Sequence, residues 1–204
     1  MQVRPKVYLV DDEPELSRAL DRAAQLRLVE SCASATEFLA GLGPRSVGCV
    51  VLDLSMPDID GLAVQERMLE TEAVLSVVFL TGRGDIPSSV RAMKAGAVDF
   101  LTKPVKAAEL AAAVRAGMAA AEVRHAEVEV VAALRTRHAQ LTPREAEVLR
   151  HVITGKLNKV IAAELGTTEQ TIKVHRSRVM EKLEVRSVAE LVNAARLLGI
   201  PAAG

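Results

Sequence analysis

The sequence predicts an α/β fold: a doubly wound, five-stranded parallel sheet, then a helical linker, then a small all-α domain of four helices. Three observations predict it. Short β-branched runs alternate with stretches of helical spacing through the first hundred residues, and such alternation implies right-handed crossovers and a parallel sheet covered on both faces. From Lys106 to about Gln140 the chain is rich in Ala, Glu, Arg and Val and has no proline. Beyond Leu141 the spacing is helical throughout, with Gly155 and Gly166 placed where helix ends need a left-handed residue.

The strands fall at Val7–Val10, Leu28–Cys32, Gly48–Leu52, Ser76–Leu80 and Val98–Leu101. Cys49-Val50-Val51-Leu52 is apolar without alternation, as a strand buried on both sides requires. Helices are expected over Glu15–Leu26, Ala35–Leu42, Leu62–Glu70 and Ser88–Ala95. Ser34 and Glu37 have the spacing of a capping box at the second of these. The connection Ala24–Val29 is short and lacks a glycine. A continuous helix from Lys106 would run about 50 Å at 1.5 Å per residue. Gly117 is a weak point in it, costing about 1 kcal/mol relative to Ala. Leu110, Val114, Ala121, Val128 and Val131 lie near a heptad seam that Arg124 interrupts, so a dimeric coiled coil stays open. Thr142, Pro143 and Glu145 form a helix-start signature, followed by helices over Pro143–Thr154, Asn158–Leu165, Glu169–Leu183 and Ser187–Leu198. The expected divisions are 1–119, a helical linker at 120–139, and 140–204.

Composition narrows the function classes. Of 204 residues, 50% are hydrophobic, which excludes wholesale disorder. No apolar run approaches the roughly 18 residues of a membrane span, and the start lacks a signal-peptide apolar region. Cys32 and Cys49 have no metal-ligating partners at useful spacing and read as buried free thiols, so the expected compartment is the cytoplasm. Basic and acidic side chains balance at 26 each, yet residues 1–140 carry 16 basic against 19 acidic and residues 141–204 carry 10 against 7. An acidic half suits a cation and a basic half suits phosphates. Aromatic residues at 2% argue against base-stacking platforms.

Open parallel sheets collect function beyond the carboxyl ends of their strands. Those ends supply Asp11 and Asp12, Asp53, Thr81 and Lys103. Converging carboxylates repel one another unless a cation joins them, and an oxygen-only set with open positions suits Mg²⁺ (or Mn²⁺). With the Lys103 ammonium and the Thr81 hydroxyl, this is a site for an acyl phosphate.

The stretches Val10-Asp11-Asp12-Glu13, Leu52-Asp53-Leu54-Ser55-Met56-Pro57-Asp58-Ile59-Asp60-Gly61, Leu80-Thr81-Gly82 and Leu101-Thr102-Lys103-Pro104 resemble the receiver domain of two-component response regulators. The similarity, closest to the FixJ/NarL class, covers about residues 5–104. It implies a flavodoxin-like receiver in which a sensor histidine kinase phosphorylates Asp53. Asp11, Asp12, Asp53 and the Ser55 carbonyl would hold the metal, Lys103 would contact the phosphoryl group, and Thr81 and Phe100 would form a switch pair.

In the second domain, small Ala162, turn-forming Gly166 and inward-facing Ile161, Leu165 and Ile172 have the spacing of a helix-turn-helix. Its second helix exposes Lys173, Arg176 and Arg178, with Lys182 one turn further on. Asn158 and Lys159 stand at the start of the first helix, placed to hold a phosphate. The segment resembles the LuxR-type DNA-binding domain over about residues 138–200. By that resemblance Lys173, Val174 and Ser177 face base edges, while Lys159, Arg176, Arg178 and Lys182 grip phosphates.

The expectation is therefore a transcriptional response regulator, not an enzyme beyond its own phosphorylation and dephosphorylation. Phosphorylation would promote homodimerisation through a face containing Val90, Arg91, Lys94 and Asp99, then binding to double-stranded promoter DNA, with RNA polymerase as a further partner and activation as the expected outcome. Two other classes stand beside it. An aspartate-nucleophile phosphatase would ordinarily need a second acid where this chain has Ser55. A phosphorylation-independent DNA-binding regulator would need no acidic site.

Overall fold

A computed structural model describes residues 4–11, 29–44, 46–82 and 86–204. The helix expected over Glu15–Leu26 and most of the short connection after it lie outside the described residues. The chain divides into two compact units, Met1–Ala126 and Glu127–Gly204.

In the first unit, β1 (Lys6–Val10), β2 (Val29–Cys32), β3 (Val47–Asp53), β4 (Val74–Thr81) and β5 (Asp99–Thr102) form one parallel sheet in the order β2-β1-β3-β4-β5. The doubly wound, flavodoxin-like sheet expected from the sequence is present, with its switch point between β1 and β3. The period of two sorts the strand residues into two cores. Tyr8, Val10, Val50, Leu52, Val77 and Phe79 pack on one face, with Phe38 of α1 (Ala35–Gly41) and Leu62, Val64 and Met68 of α2 (Gly61–Met68). Val7, Leu9, Cys49, Val51, Val78 and Leu80 pack on the other, with Leu110, Ala113 and Val114 of α4 (Ala107–His138). Between them in sequence lies α3 (Ile86–Lys94).

Two expectations for the long helix are corrected. Leu110, Val114 and Ala121 are buried, the first two against the sheet, so the residues read as a heptad seam are largely domain core. Gly117 is a close-packing position instead of a weak point: a Cβ there would stand 2.5 Å from Cys49 Sγ. Arg124, which broke the heptad pattern, donates to the Leu75 carbonyl at 2.7 Å and to Ser76 Oγ at 2.8 Å.

The second unit holds α5 (Pro143–Val152), α6 (Asn158–Glu164), α7 (Glu169–Lys182) and α8 (Val188–Leu198). Val148, Leu149, Ile161, Ala162, Ile172, Val179 and Leu191 meet in one core. The predicted capping box is present: Glu145 N donates to Thr142 Oγ1 at 3.3 Å and Thr142 N donates to Glu145 Oε2 at 2.9 Å. Gly155 and Gly166 have φ of 81° and 63°, the left-handed conformation these turns require.

Candidate functional site

The carboxyl ends of β1, β3, β4 and β5 converge. Asp11 follows β1, Asp53 ends β3 and Thr81 ends β4, and all three are buried. The Lys103 amide donates to the Thr81 carbonyl at 2.7 Å, which carries the chain from β5 back over the site. The Lys103 ammonium stands 2.9 Å from Asp11 Oδ2 and 2.9 Å from Asp53 Oδ2. The other Asp53 oxygen, Oδ1, accepts from Ser55 N at 3.1 Å.

One ammonium bridging two buried carboxylates answers their mutual repulsion. Burial lowers the lysine's proton affinity, but hydrogen bonds to Asp53 and Asp11, with their charges, raise its pKa well above the ordinary 10.5. Asp53 is held close by backbone as well. The Leu54 amide donates to the Leu80 carbonyl at 2.9 Å and the Gly61 amide donates to the Leu54 carbonyl at 3.1 Å. A Cβ on Gly61 would meet the Asp53 carbonyl at 2.5 Å, so this loop closes only over glycine. Asp60 caps α2 by accepting from Leu62 N at 2.9 Å, and Asp58 accepts from Thr36 N and Oγ1, each at 3.0 Å.

The structure thus brings together Asp11, Asp53, Thr81 and Lys103 of the expected set; Asp12 lies outside the described residues. Among the described residues no three His, Cys, Asp or Glu side chains gather in a metal-binding group. The donor set nonetheless fits a hard divalent cation: carboxylate oxygens held within reach of one positive charge, with no soft ligand among them. Phe100 is half-buried beside Phe79, their ring centroids 6.2 Å apart. On α3, Val90, Arg91 and Lys94 are exposed, together with Ile86 and Met93, while Asp99 is half-buried and accepts from the Phe100 amide at 2.8 Å.

In the second unit, α6, a glycine turn and α7 make the expected helix-turn-helix. Lys159, Lys173, Val174, Ser177 and Arg178 are exposed. Arg176 is half-buried and donates to Asn158 Oδ1 at 3.0 Å, tying the two helices together. Lys182 departs from the exposed-face expectation. Its ammonium donates to Glu145 Oε2 at 2.6 Å and to the Gln140 carbonyl at 3.0 Å. Glu145 is only 2% exposed; the hydrogen bond from Lys182, aided by the Thr142 backbone, depresses its pKa to about 2.

Comparison with known proteins decides the family. Residues 7–115 match the response regulator receiver domain, and residues 139–195 match the luxR family of bacterial regulatory proteins. The chain belongs to the two-component response regulators. Among its relatives is response regulator protein TmoT of Ectopseudomonas mendocina, 39% identical over 94% of this chain and 88% of that protein. Another is transcriptional regulatory protein FixJ of Bradyrhizobium diazoefficiens, 36% identical over 98% of each. The solved structure of response regulator StyR is similar with a TM-score of 0.79 and 41% identity, covering 95% of this chain and 98% of that one. The response regulator accordingly joins a receiver domain to a LuxR-type DNA-binding domain, an arrangement that implies a sensor kinase upstream and DNA as a ligand. Among the described residues no helix is long and apolar enough to cross a membrane.

Sequence reasoning missed three of these contacts: Arg124 on β4, Asn158 with Arg176, and Glu145 with Lys182. The capping-box spacing could have flagged Glu145 as buried. No local signal foretells its partner 37 residues away.

Proposed function

We propose that this response regulator, acting in the cytoplasm, is phosphorylated on Asp53 by a histidine kinase and that the phosphoryl group promotes dimerisation and promoter binding. One observation carries the reading: Asp53, 5% exposed, presents a carboxylate oxygen to an ammonium that Asp11 shares. In the transfer, an Asp53 oxygen attacks phosphorus, the bond from phosphorus to the kinase imidazole breaks, and an acyl phosphate forms. Lys103 then turns from neutralising a carboxylate to neutralising phosphoryl oxygens. Asp11, Asp12, Asp53 and the Ser55 carbonyl would hold Mg²⁺ or Mn²⁺, which supplies charge neutralisation to the phosphoryl oxygens when bound.

The Thr81 hydroxyl donates to the new oxygens, and Phe100 follows it inward, reshaping the surface that carries Val90, Arg91, Lys94 and Asp99. Exposed Ile86, Val90 and Met93 on α3 support a homodimer there. Two LuxR-type domains so paired fit a two-fold operator. Lys173, Val174 and Ser177 read base edges, Lys159 and Arg178 grip phosphates, and Asn158 and Arg176 fix the first helix against the second. Lys182 acts inside its own domain. The promoter complex engages RNA polymerase and raises transcription.

Acetyl phosphate with Mg²⁺ tests the reading. The expected result is one phosphoryl group per chain, lost in Asp53→Asn, with tighter promoter binding by the phosphorylated form. Unmodified Asp53, or modification without a change in promoter occupancy, overturns it.

A further inference from the structure

The β3–α2 connection, residues 54–60, follows Asp53 directly and carries the Ser55 carbonyl. Most of its fastenings are to its immediate surroundings. Leu54 N donates to the Leu80 carbonyl, Ser55 N to Asp53 Oδ1, Gly61 N to the Leu54 carbonyl and Leu62 N to Asp60 Oδ1. Asp58 reaches elsewhere. Its Oδ2 accepts from both the amide and the hydroxyl of Thr36, each at 3.0 Å, from a residue 22 positions earlier in the chain. The Thr36 amide, then its hydroxyl and the amides of Ile59 and Ala35, hold the Asp58 carboxyl below the usual carboxylate range. Thr36 lies in the first turn of α1, where the Ser34 side chain accepts from Glu37 N. Asp58 thus satisfies an amide of the helix start that the Ser34 cap leaves open.

The same short segment touches the other arm of the acid site. The carbonyl of Cys32, which ends β2, accepts from the Asp11 amide at 3.3 Å. Residues 32–36 therefore tie together the two stretches that supply the buried carboxylates: Asp11 through the backbone, and the loop after Asp53 through Asp58. Thr36 and Asp58 are both exposed, so their contact fixes position without adding apolar burial. Resting on Asp53 as the phosphoacceptor, we propose that Asp58 and Thr36 are positioning residues for that site, pre-arranging the Ser55 carbonyl with the Asp11 and Asp53 carboxylates for a divalent cation. Partners that orient metal ligands typically alter affinity by about 10–100-fold when removed. With the tie cut, binding must also order the loop, so cation affinity falls.

Mg²⁺ titrated into the full chain without a phosphoryl donor, followed by the Leu54 and Ser55 backbone amide resonances, tests this. Asp58→Ala should raise the half-saturating Mg²⁺ concentration about ten-fold. Asp58→Asn should restore most of the loss, because one carbonyl oxygen can accept from both Thr36 groups, as Oδ2 does. In acetyl phosphate labelling, Asp58→Ala should be slow at limiting Mg²⁺ and recover as Mg²⁺ is raised. An unchanged half-saturation in Asp58→Ala overturns the proposal. So does Asp58→Asn binding as weakly as Asp58→Ala, which would assign the effect to the exposed charge. Where Asp58→Ala fails to fold, Thr36→Val, which keeps the amide and removes the hydroxyl, carries the same test with a smaller shift expected. Native protein that binds Mg²⁺ yet is never labelled sinks the phosphoacceptor reading, whereas the Mg²⁺ shift is read without any phosphorylation.

Discussion

Replacing Lys182 by Met separates a lysine that stabilises its own domain from one that grips DNA. The substitution keeps the aliphatic stem and removes the charge. Glu145 is depressed from 4.5 to about 2; at 1.36 kcal/mol per pKa unit, this corresponds to about 3 kcal/mol in all. Thr142 contributes part of that, and the Lys182 side chain is 32% exposed, so solvent screens its share. Removing the ammonium should therefore cost about 1–2 kcal/mol at pH 7. For a domain of this size the midpoint of thermal unfolding should fall by roughly 5–15 °C. Because the folded pKa is lowered, the stabilisation is fully present above pH 4.5 and disappears as pH falls toward 2. The gap between wild type and Lys182→Met should thus be wide at pH 7 and narrow below pH 4.5. Amide exchange in α5 and α7 of the full chain measures the stability, and operator affinity at several salt concentrations measures the phosphate contacts. The salt slope should stay the same. Unchanged stability together with a slope reduced by about 0.9, the value of one lost phosphate contact, would refute the assignment.

Four other substitutions test separate parts of the molecule. Arg178→Ala should lower the salt slope of operator binding by about 0.9, whereas Lys173→Ala should cost about 1–3 kcal/mol on the specific operator and relax base preference, as competition with scrambled DNA would report. Gly61→Ala places a methyl group 2.5 Å from the Asp53 carbonyl; it should destabilise the receiver by about 1–3 kcal/mol in urea and slow acetyl phosphate labelling. Gly117→Ala sets helix propensity, worth about 1 kcal/mol in its favour, against a contact 2.5 Å from Cys49 Sγ, and a net loss of receiver stability is the expected outcome.

The Gly117 case shows what was legible in the sequence and what was not. Chemistry carried at strand ends is local: each of Asp11, Asp53, Thr81 and Lys103 is marked by the apolar run before it, and parallel pairing then forces them together. Capping is local too, so Ser34 and Glu37 formed a box-like start, with Glu37 N on Ser34 Oγ at 3.1 Å, although the return bond goes to the Ala33 amide at 3.2 Å. Helix-propensity scales describe a solvated helix, and so they penalise Gly117 without knowing that Cys49 occupies the space a methyl group would need. The ambiguity of the heptad-like stripe has the same origin. A stripe at helical spacing states that something apolar covers it, and the sheet's Val51, Val78 and Leu80 do so for Leu110 and Val114.

Lys182 extends this reasoning from packing to charge. A basic helix face read from spacing alone treats every cation on it as available to phosphate, but a buried carboxylate elsewhere in the domain competes for the nearest one. Glu145 is buried because its backbone-capping role seats it at the start of α5, where Lys182 from the end of α7 can reach it. Arg176 is also engaged inside the domain, by the neutral side-chain oxygen of Asn158. On the helix-turn-helix face Lys159, Lys173 and Arg178 stay exposed with no such internal acceptor among the described residues, and the charge left on that face is what remains after the fold has met its own electrostatic needs.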